Sequence, residues 1–150
     1  MAFDGIVISN LTYELNTNLV GGRISKISMP EDNELIFTIK KNAKTYRLLV
    51  SASASLPLVY LTDVNKPAPK VAPAFLMLLR KYIGTAKINN IFQMGLERIL
   101  CFELEHLNEL GDLSHKRMYI EIMGKHSNII FTDENNKIID SIKRISANMS

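Results

Sequence analysis

Glu97 and Arg98 stand side by side two residues after Gly95, in the run Met94-Gly-Leu-Glu-Arg-Ile-Leu-Cys-Phe102. An acid beside a guanidinium can present a matched pair to a ligand, and arginine suits phosphate oxygens or base edges. A second cluster follows in Glu121-Ile-Met-Gly-Lys-His-Ser-Asn-Ile-Ile130. There Lys125 and His126 have the chemistry to contact phosphate, and Ser127 and Asn128 to hydrogen-bond a base or ribose. Each cluster also has a structural reading. The first fits a structural ion pair or a strand-end charge, and the second a hairpin built from turn-forming residues.

The other reactive side chains do not assemble into a catalytic pattern. His106, His115 and His126 lie far apart, with no cysteine cluster, which is not zinc spacing. Cys101 sits between Leu100 and Phe102 and reads as a small buried hydrophobe rather than a nucleophile. Glu103 and Glu105 share one strand face, a common arrangement on a solvated strand and not a general acid/base pair. A nucleophile elbow, a Walker loop and a dinucleotide fingerprint are all absent from the sequence. The expectation is a non-enzymatic domain with no cofactor and no metal.

Charge is unevenly placed. The formal net charge is +3 over 150 residues. Residues 66–98 alone carry Lys66, Lys70, Arg80, Lys81, Lys87 and Arg98 against Glu97, a net +5. Residues 99–112 carry Glu103, Glu105, Glu109 and Asp112 with no lysine or arginine, a net −4. A local basic field attracts phosphates. It is equally the pattern of a solvated helix face beside an acidic loop.

These groups must be held by regular elements. Ile8, Leu11, Leu15 and Leu19 recur at helical spacing and predict a helix over 5–20. Asp4 precedes it as an N-cap or first-turn acid, and Gly21-Gly22 supplies the stop. The period then changes to two. A strand over 23–28 ending at Pro30, a turn at Glu31–Asn33, a strand over 34–40, a turn at Lys41-Asn42 and a strand over 45–50 predict an antiparallel meander. A short apolar run, Leu56–Leu61, reads as a further strand, and 62–71 as a polar, proline-marked connection. Pro73 fits the first turn of a second helix whose face is Phe75, Leu76, Leu79, Tyr82 and Ile83, ended by Gly84. Arg80 and Lys81 lie near its C-terminus, where cations complement the dipole. Strands are predicted over 86–93, 98–104, 116–123, 128–132 and 138–142, with hairpin turns at 124–127 and 133–136. No β–α–β alternation is present, so the expected fold is α+β: an antiparallel β-sandwich-like domain with two packed helices.

Size and composition agree with one domain over residues 1–150. Apolar residues make up 47% of the chain and charged ones 22%, close to the globular average. A domain of this length buries enough surface to hold without a staple, and a single cysteine excludes an intramolecular disulfide. No apolar run approaches the length of a membrane span. The opening Met1–Gly5 has no basic n-region and is not read as a signal peptide, so a cytoplasmic location is expected.

Several segments together resemble a known family. They are Phe3-Asp-Gly5, Gly21-Gly-Arg23, Phe75-Leu-Met-Leu-Leu-Arg-Lys81, Gln93-Met-Gly-Leu-Glu-Arg-Ile99, Gly111-Asp112, Glu121–Ile130 and Ile139-Asp-Ser-Ile-Lys143. In order and across the whole chain, they resemble the amino-terminal domain of the NFACT proteins, whose bacterial members are known as RqcH and also as fibronectin-binding protein A. The resemblance implies ribosome-associated quality control. Such proteins bind large ribosomal subunits carrying a stalled chain on peptidyl-tRNA, and recruit alanyl-tRNA for template-free C-terminal tailing. It implies tRNA contact by Asp4, Arg80, Lys81, Glu97, Arg98, Lys125, His126, Ser127 and Asn128.

Family members commonly show Asp-Arg where this chain has Glu97-Arg98; the extra methylene keeps the charge and lengthens the reach. They are also much longer, so an excised domain is expected. The fold is expected to be similar to the amino-terminal domain of formamidopyrimidine-DNA glycosylases. Ala2 and Phe3 stand where those enzymes carry their catalytic proline and acid, so that activity is not implied. The competing reading is a surface module that binds fibronectin. The lone cysteine, the basic segment and the start of the chain weigh against it.

Overall fold

The computed structural model describes residues 5–54, 57–64, 66, 67, 69, 71–95 and 97–143. The expected cap at Asp4, Ala2-Phe3 and parts of the connection over 62–71 lie outside the described residues. Helix α1 spans Gly5–Leu19, with Ile8, Leu15 and Leu19 wholly buried. Leu11 packs at the edge of the same core. Gly21 ends the helix with φ +90, backbone that a β-carbon disfavours. The glycine pair also makes a seam: Gly21 N–H donates to Ile88 O at 2.8 Å, and Ile88 N–H returns to Gly22 O at 2.9 Å.

Strands β1 (Arg23–Glu31), β2 (Glu34–Lys41), β3 (Lys44–Ser51) and β4 (Leu58–Leu61) form the expected meander, each antiparallel to the next. Three local readings need correction. Pro30 does not end β1; it lies within it, at an irregularity between Ser28 and Glu31 that removes the need for a proline N–H in the ladder. A second irregularity between Ile24 and Lys26 breaks strict alternation, so Ile24 and Ile27 both reach the core. The β2–β3 turn falls on Asn42-Ala43, one residue later than expected. Both have positive φ, 51 and 65, the backbone of a tight two-residue hairpin.

Helix α2 (Ala74–Ile83) follows, with Pro73 as its N-cap and Phe75, Leu76, Leu79 and Ile83 buried. Strands β5 (Lys87–Gln93), β6 (Ile99–Leu107), β7 (Leu113–Glu121), β8 (Asn128–Asp133) and β9 (Ile138–Ser141) continue as up-and-down hairpins. The β6–β7 hairpin is longer than expected, so much of the acidic segment is strand, with its turn at 108–112.

The architecture is α+β, with a large antiparallel sheet and two packed helices. The nine strands form one hydrogen-bonded sheet in the order β4-β3-β2-β1-β5-β6-β7-β8-β9. A narrow junction joins the two meanders at Arg23 and Lys87. One core draws on α1, α2 and both halves of the sheet. Along β6, Leu100, Phe102 and Leu104 belong to that core. The intervening Cys101, Glu103 and Glu105 lie across from Tyr119, Arg117 and His115 on β7. Cys101 is buried, as read from its neighbours, and burial pushes its thiol up to about 11.

Candidate nucleic-acid interface

Two turns meet at one end of the sheet: the β5–β6 turn over 94–98, and the β7–β8 turn over 122–127. The first is closed by Met94 N–H to Ile99 O at 3.0 Å and Glu97 N–H to Met94 O at 3.0 Å. The Gln93 side chain donates to Glu97 O at 2.7 Å. Gly95, at φ +59, supplies the predicted bend. Because β6 begins at Ile99, Arg98 sits just outside it, and a cation on the apolar strand face is avoided. Glu97 and Arg98 are both exposed, and no ion pair joins them among the described residues. The structural ion pair considered for them is therefore not formed. Ile122 N–H donates to Arg98 O at 2.9 Å, tying this turn to its neighbour.

The second turn is a short 3-10 helix over Gly124–His126, with Lys125 and His126 exposed. Ser127 and Asn128 are placed differently from the expectation that they face a ligand. Ser127 is 0% exposed, and its Oγ accepts Met123 N–H at 2.8 Å. Asn128, also buried, donates from Nδ2 to Lys143 O at 3.1 Å and accepts Lys143 N–H at Oδ1 at 3.0 Å. Its Oδ1 also accepts Ile129 N–H at 2.9 Å. Both side chains hold the turn in shape, because a buried polar group in a strand end must be satisfied by backbone.

Two further charged groups belong to this end. Burial, and then the charge of Glu97, holds the Glu121 carboxyl above its ordinary value. Burial holds Lys143 below its ordinary value. From the sequence, Lys143 is only the last residue of the Ile139–Lys143 segment and is not expected at this site. Its place here rests on the Asn128 clamp, a pairing across 15 residues that a linear reading does not reveal.

The remaining expected contacts lie elsewhere. Arg80 donates from Nε and Nη2 to Ile27 O at 3.1 and 3.0 Å, pinning α2 to β1. Lys81 lines a cavity with His106 and Asn108, at the far end of β6 from Arg98. Nine strand residues separate the two ends, roughly 25 Å. Among the described residues no group of three or more His, Cys, Asp or Glu is arranged to hold a metal ion. No helix among them is long and apolar enough to cross a membrane.

An antiparallel sheet that presents Arg98, Lys125 and His126 on two adjoining, hydrogen-bonded turns, with Glu97 beside Arg98, defines an α+β domain with an exposed polar rim at one sheet end. The chain belongs to the NFACT family: the family model described as NFACT N-terminal and middle domains matches residues 4–150. It is 44% identical over 151 residues to the Rqc2 homolog RqcH of Bacillus subtilis (strain 168), covering 100% of this chain and 26% of that protein. The Rqc2 homolog RqcH of Streptococcus suis (strain 05ZYH33) is 42% identical, with 97% and 26% covered.

Among solved structures, the N-terminal domain of fibronectin-binding protein PavA from Streptococcus pneumoniae superposes with a TM-score of 0.94 at 38% identity. The match covers 97% of this chain and 55% of that one. The N-terminal part of the fibronectin/fibrinogen-binding protein from Streptococcus suis gives 0.93 at 42% identity, covering 98% and 56%. The chain thus spans about a quarter of the length of the curated relatives it matches.

Proposed function

We propose that this chain is the tRNA-engaging domain of a cytoplasmic ribosome-associated quality-control factor. In that role it helps to recruit alanyl-tRNA to large ribosomal subunits that carry a stalled chain on peptidyl-tRNA, for template-free C-terminal tailing. The peptide-bond chemistry then belongs to the ribosome, and the domain acts as an adaptor rather than an enzyme. The observation that carries this reading is the convergence of Glu97-Arg98 with Lys125-His126 at one sheet end, in a chain whose relatives are RqcH proteins.

Arg98 is suited to a phosphate or a base edge, with Glu97 beside it as an acceptor for a hydroxyl or amino group. Lys125 and His126 are suited to contact the phosphate backbone, while Ser127 and Asn128 position them. Arg80 and Lys81 lie away from this rim and are proposed only as outlying contacts, and Asp4, outside the described residues, is proposed as a contact from the resemblance alone. The likeness in fold to the amino-terminal domain of formamidopyrimidine-DNA glycosylases remains a proposal, without a lesion-processing activity.

Binding of tRNA to the full-length protein, measured across a salt series, tests the reading. Log affinity is expected to fall steadily with log salt, with a shallower slope for Lys125→Ala. A flat dependence overturns it. Fibronectin binding is the second reading, favoured by the names of the PavA and Streptococcus suis structures. Cell fractionation separates the two: sedimentation with large subunits supports the first, and cleavage by protease added to intact cells supports the second.

A further inference from the structure

The opposite end of β6 carries a different site. A cavity of about 470 Å³ opens between the C-terminal turn of α2 and the β6–β7 turn. That volume lies in the range typical of small-ligand sites, about 300–1,000 Å³. Its floor is Lys116, only 9% exposed. The Lys116 ammonium lies 3.2 Å from His106 Nε2 and donates to Ser114 Oγ at 2.9 Å. His106 Nδ1 lies 3.2 Å from Leu107 O, so Nδ1 carries the proton and Nε2 is left to accept from Lys116. Burial, and then the charge of Lys116, favours that neutral ring.

Both polar partners of Lys116 are therefore uncharged. Asp133, directly across on β8, gives one carboxylate oxygen to the N–H groups of Asn135 and Lys137, each at 2.9 Å. It forms no ion pair with Lys116 among the described residues. A second ammonium, Lys81, lines the same cavity, and Lys81 and Lys116 Nζ lie 5.3 and 5.4 Å from the centre of the Tyr82 ring. Both cations line the cavity, one of them buried; Glu109 lines it too but pairs with neither among the described residues, and a buried cation without a paired anion is costly. An incoming anion supplies the missing countercharge.

The rim adds a second requirement. Leu110, 86% exposed, and Leu107 stand at the mouth of the cavity. An anion alone would leave them in water, whereas a ligand with a flat apolar part beside its charge would cover them. We propose that this cavity binds a nucleotide, its phosphate held between Lys81 and Lys116 and its base laid over Leu107 and Leu110. The site is separate from the Glu97-Arg98 rim and does not depend on what that rim binds.

Titrating AMP into the 150-residue chain, followed by amide NMR, tests this. Saturable shifts are expected at 107–113 and at Lys116, with inorganic phosphate moving the same amides at about tenfold higher concentration or more. Lys116→Met is expected to weaken AMP binding about tenfold or more. It should leave the melting temperature unchanged or raised, because a methionine fills the space without burying a charge. Lys81→Ala, an exposed change that does not threaten folding, is expected to weaken AMP as well, whereas Lys26→Ala on β1 leaves it unaltered.

A 5′-phosphorylated trinucleotide that binds more tightly than AMP assigns the site to an RNA strand; the reverse assigns it to a free nucleotide. The proposal is overturned if neither probe moves these amides, if glutamate moves them as strongly as AMP, or if Lys81→Ala leaves AMP binding intact.

Discussion

The backbone N–H of Ile122 donates to the carbonyl of Arg98 at 2.9 Å, so the turn that carries Arg98 and the turn that carries Lys125 are hydrogen-bonded neighbours. Residues 24 positions apart in sequence thereby share one edge of the sheet. The relationship follows from β6 and β7 pairing in strict antiparallel register from Ile99–Glu121 to Leu107–Leu113. That register brings the open end of β6 beside the end of β7 and leaves both side-chain sets in solvent.

Glu121 sits at this junction, with its folded value raised above the ordinary 4.5 by burial and by Glu97. A raised carboxyl favours folding in its protonated form. That contribution is full below the unfolded value and is lost as pH rises through the folded value. Glu121→Gln is therefore expected to melt at a higher temperature than the parent at neutral pH. The difference should shrink below pH 4.5. Paired thermal melts across that range check it; equal melting at neutral pH contradicts it.

Asn128 clamps the backbone of Lys143 in both directions while also accepting from Ile129. Asn128→Ala leaves those backbone groups unpartnered and is expected to cost about 1–3 kcal/mol, read by urea denaturation. The amide protons of Ile129 and Lys143 should exchange faster in the variant. A change below a few tenths of a kcal/mol would show that the clamp contributes little.

His106 is held below its ordinary 6.5 by burial first, and then by the charges of Lys116 and His115, against a backbone contact to Leu107 that acts the other way. Folding favours its neutral ring. The unfolded chain takes up the proton first, so stability falls as pH drops from 6.5 toward the folded value and levels off below it. An NMR titration of the His106 ring should give a midpoint below 6.5, and a midpoint above it contradicts the placement.

Cys101 is wholly buried, with its thiol pushed up to about 11. It is expected to resist a thiol-reactive dye in the folded chain at neutral pH and to react fully once denatured. Rapid labelling of the folded chain contradicts the buried placement.

Much of this molecule is legible along the chain, and the illegible parts have identifiable causes. Helical spacing of Ile8, Leu15 and Leu19 and the stop at Gly21 depend on local chemistry, and both hold. Ile24 and Ile27 share the core only because the strand is irregular between them, and alternation alone cannot show that. A strand over 98–104 would put Arg98 on the same face as Leu100 and Phe102; β6 starts one residue later, at Ile99, and leaves it outside. Ser127 and Asn128 have the side chains of ligand-contacting residues, yet the backbone of Lys143, just past β9, uses Asn128. Lys81 lies near Arg98 in sequence but far from it in space, since α2 crosses to the other end of β6. Local signals survive folding here, and long-range pairing decides which polar groups remain free.

The central claim concerns Arg98, and the most direct measurement is C-terminal tailing of a stalled nascent chain in a reconstituted system with the full-length protein. Arg98→Ala is expected to reduce alanine tailing about tenfold or more while co-sedimentation with large subunits persists. Unchanged tailing with normal subunit binding would contradict the account.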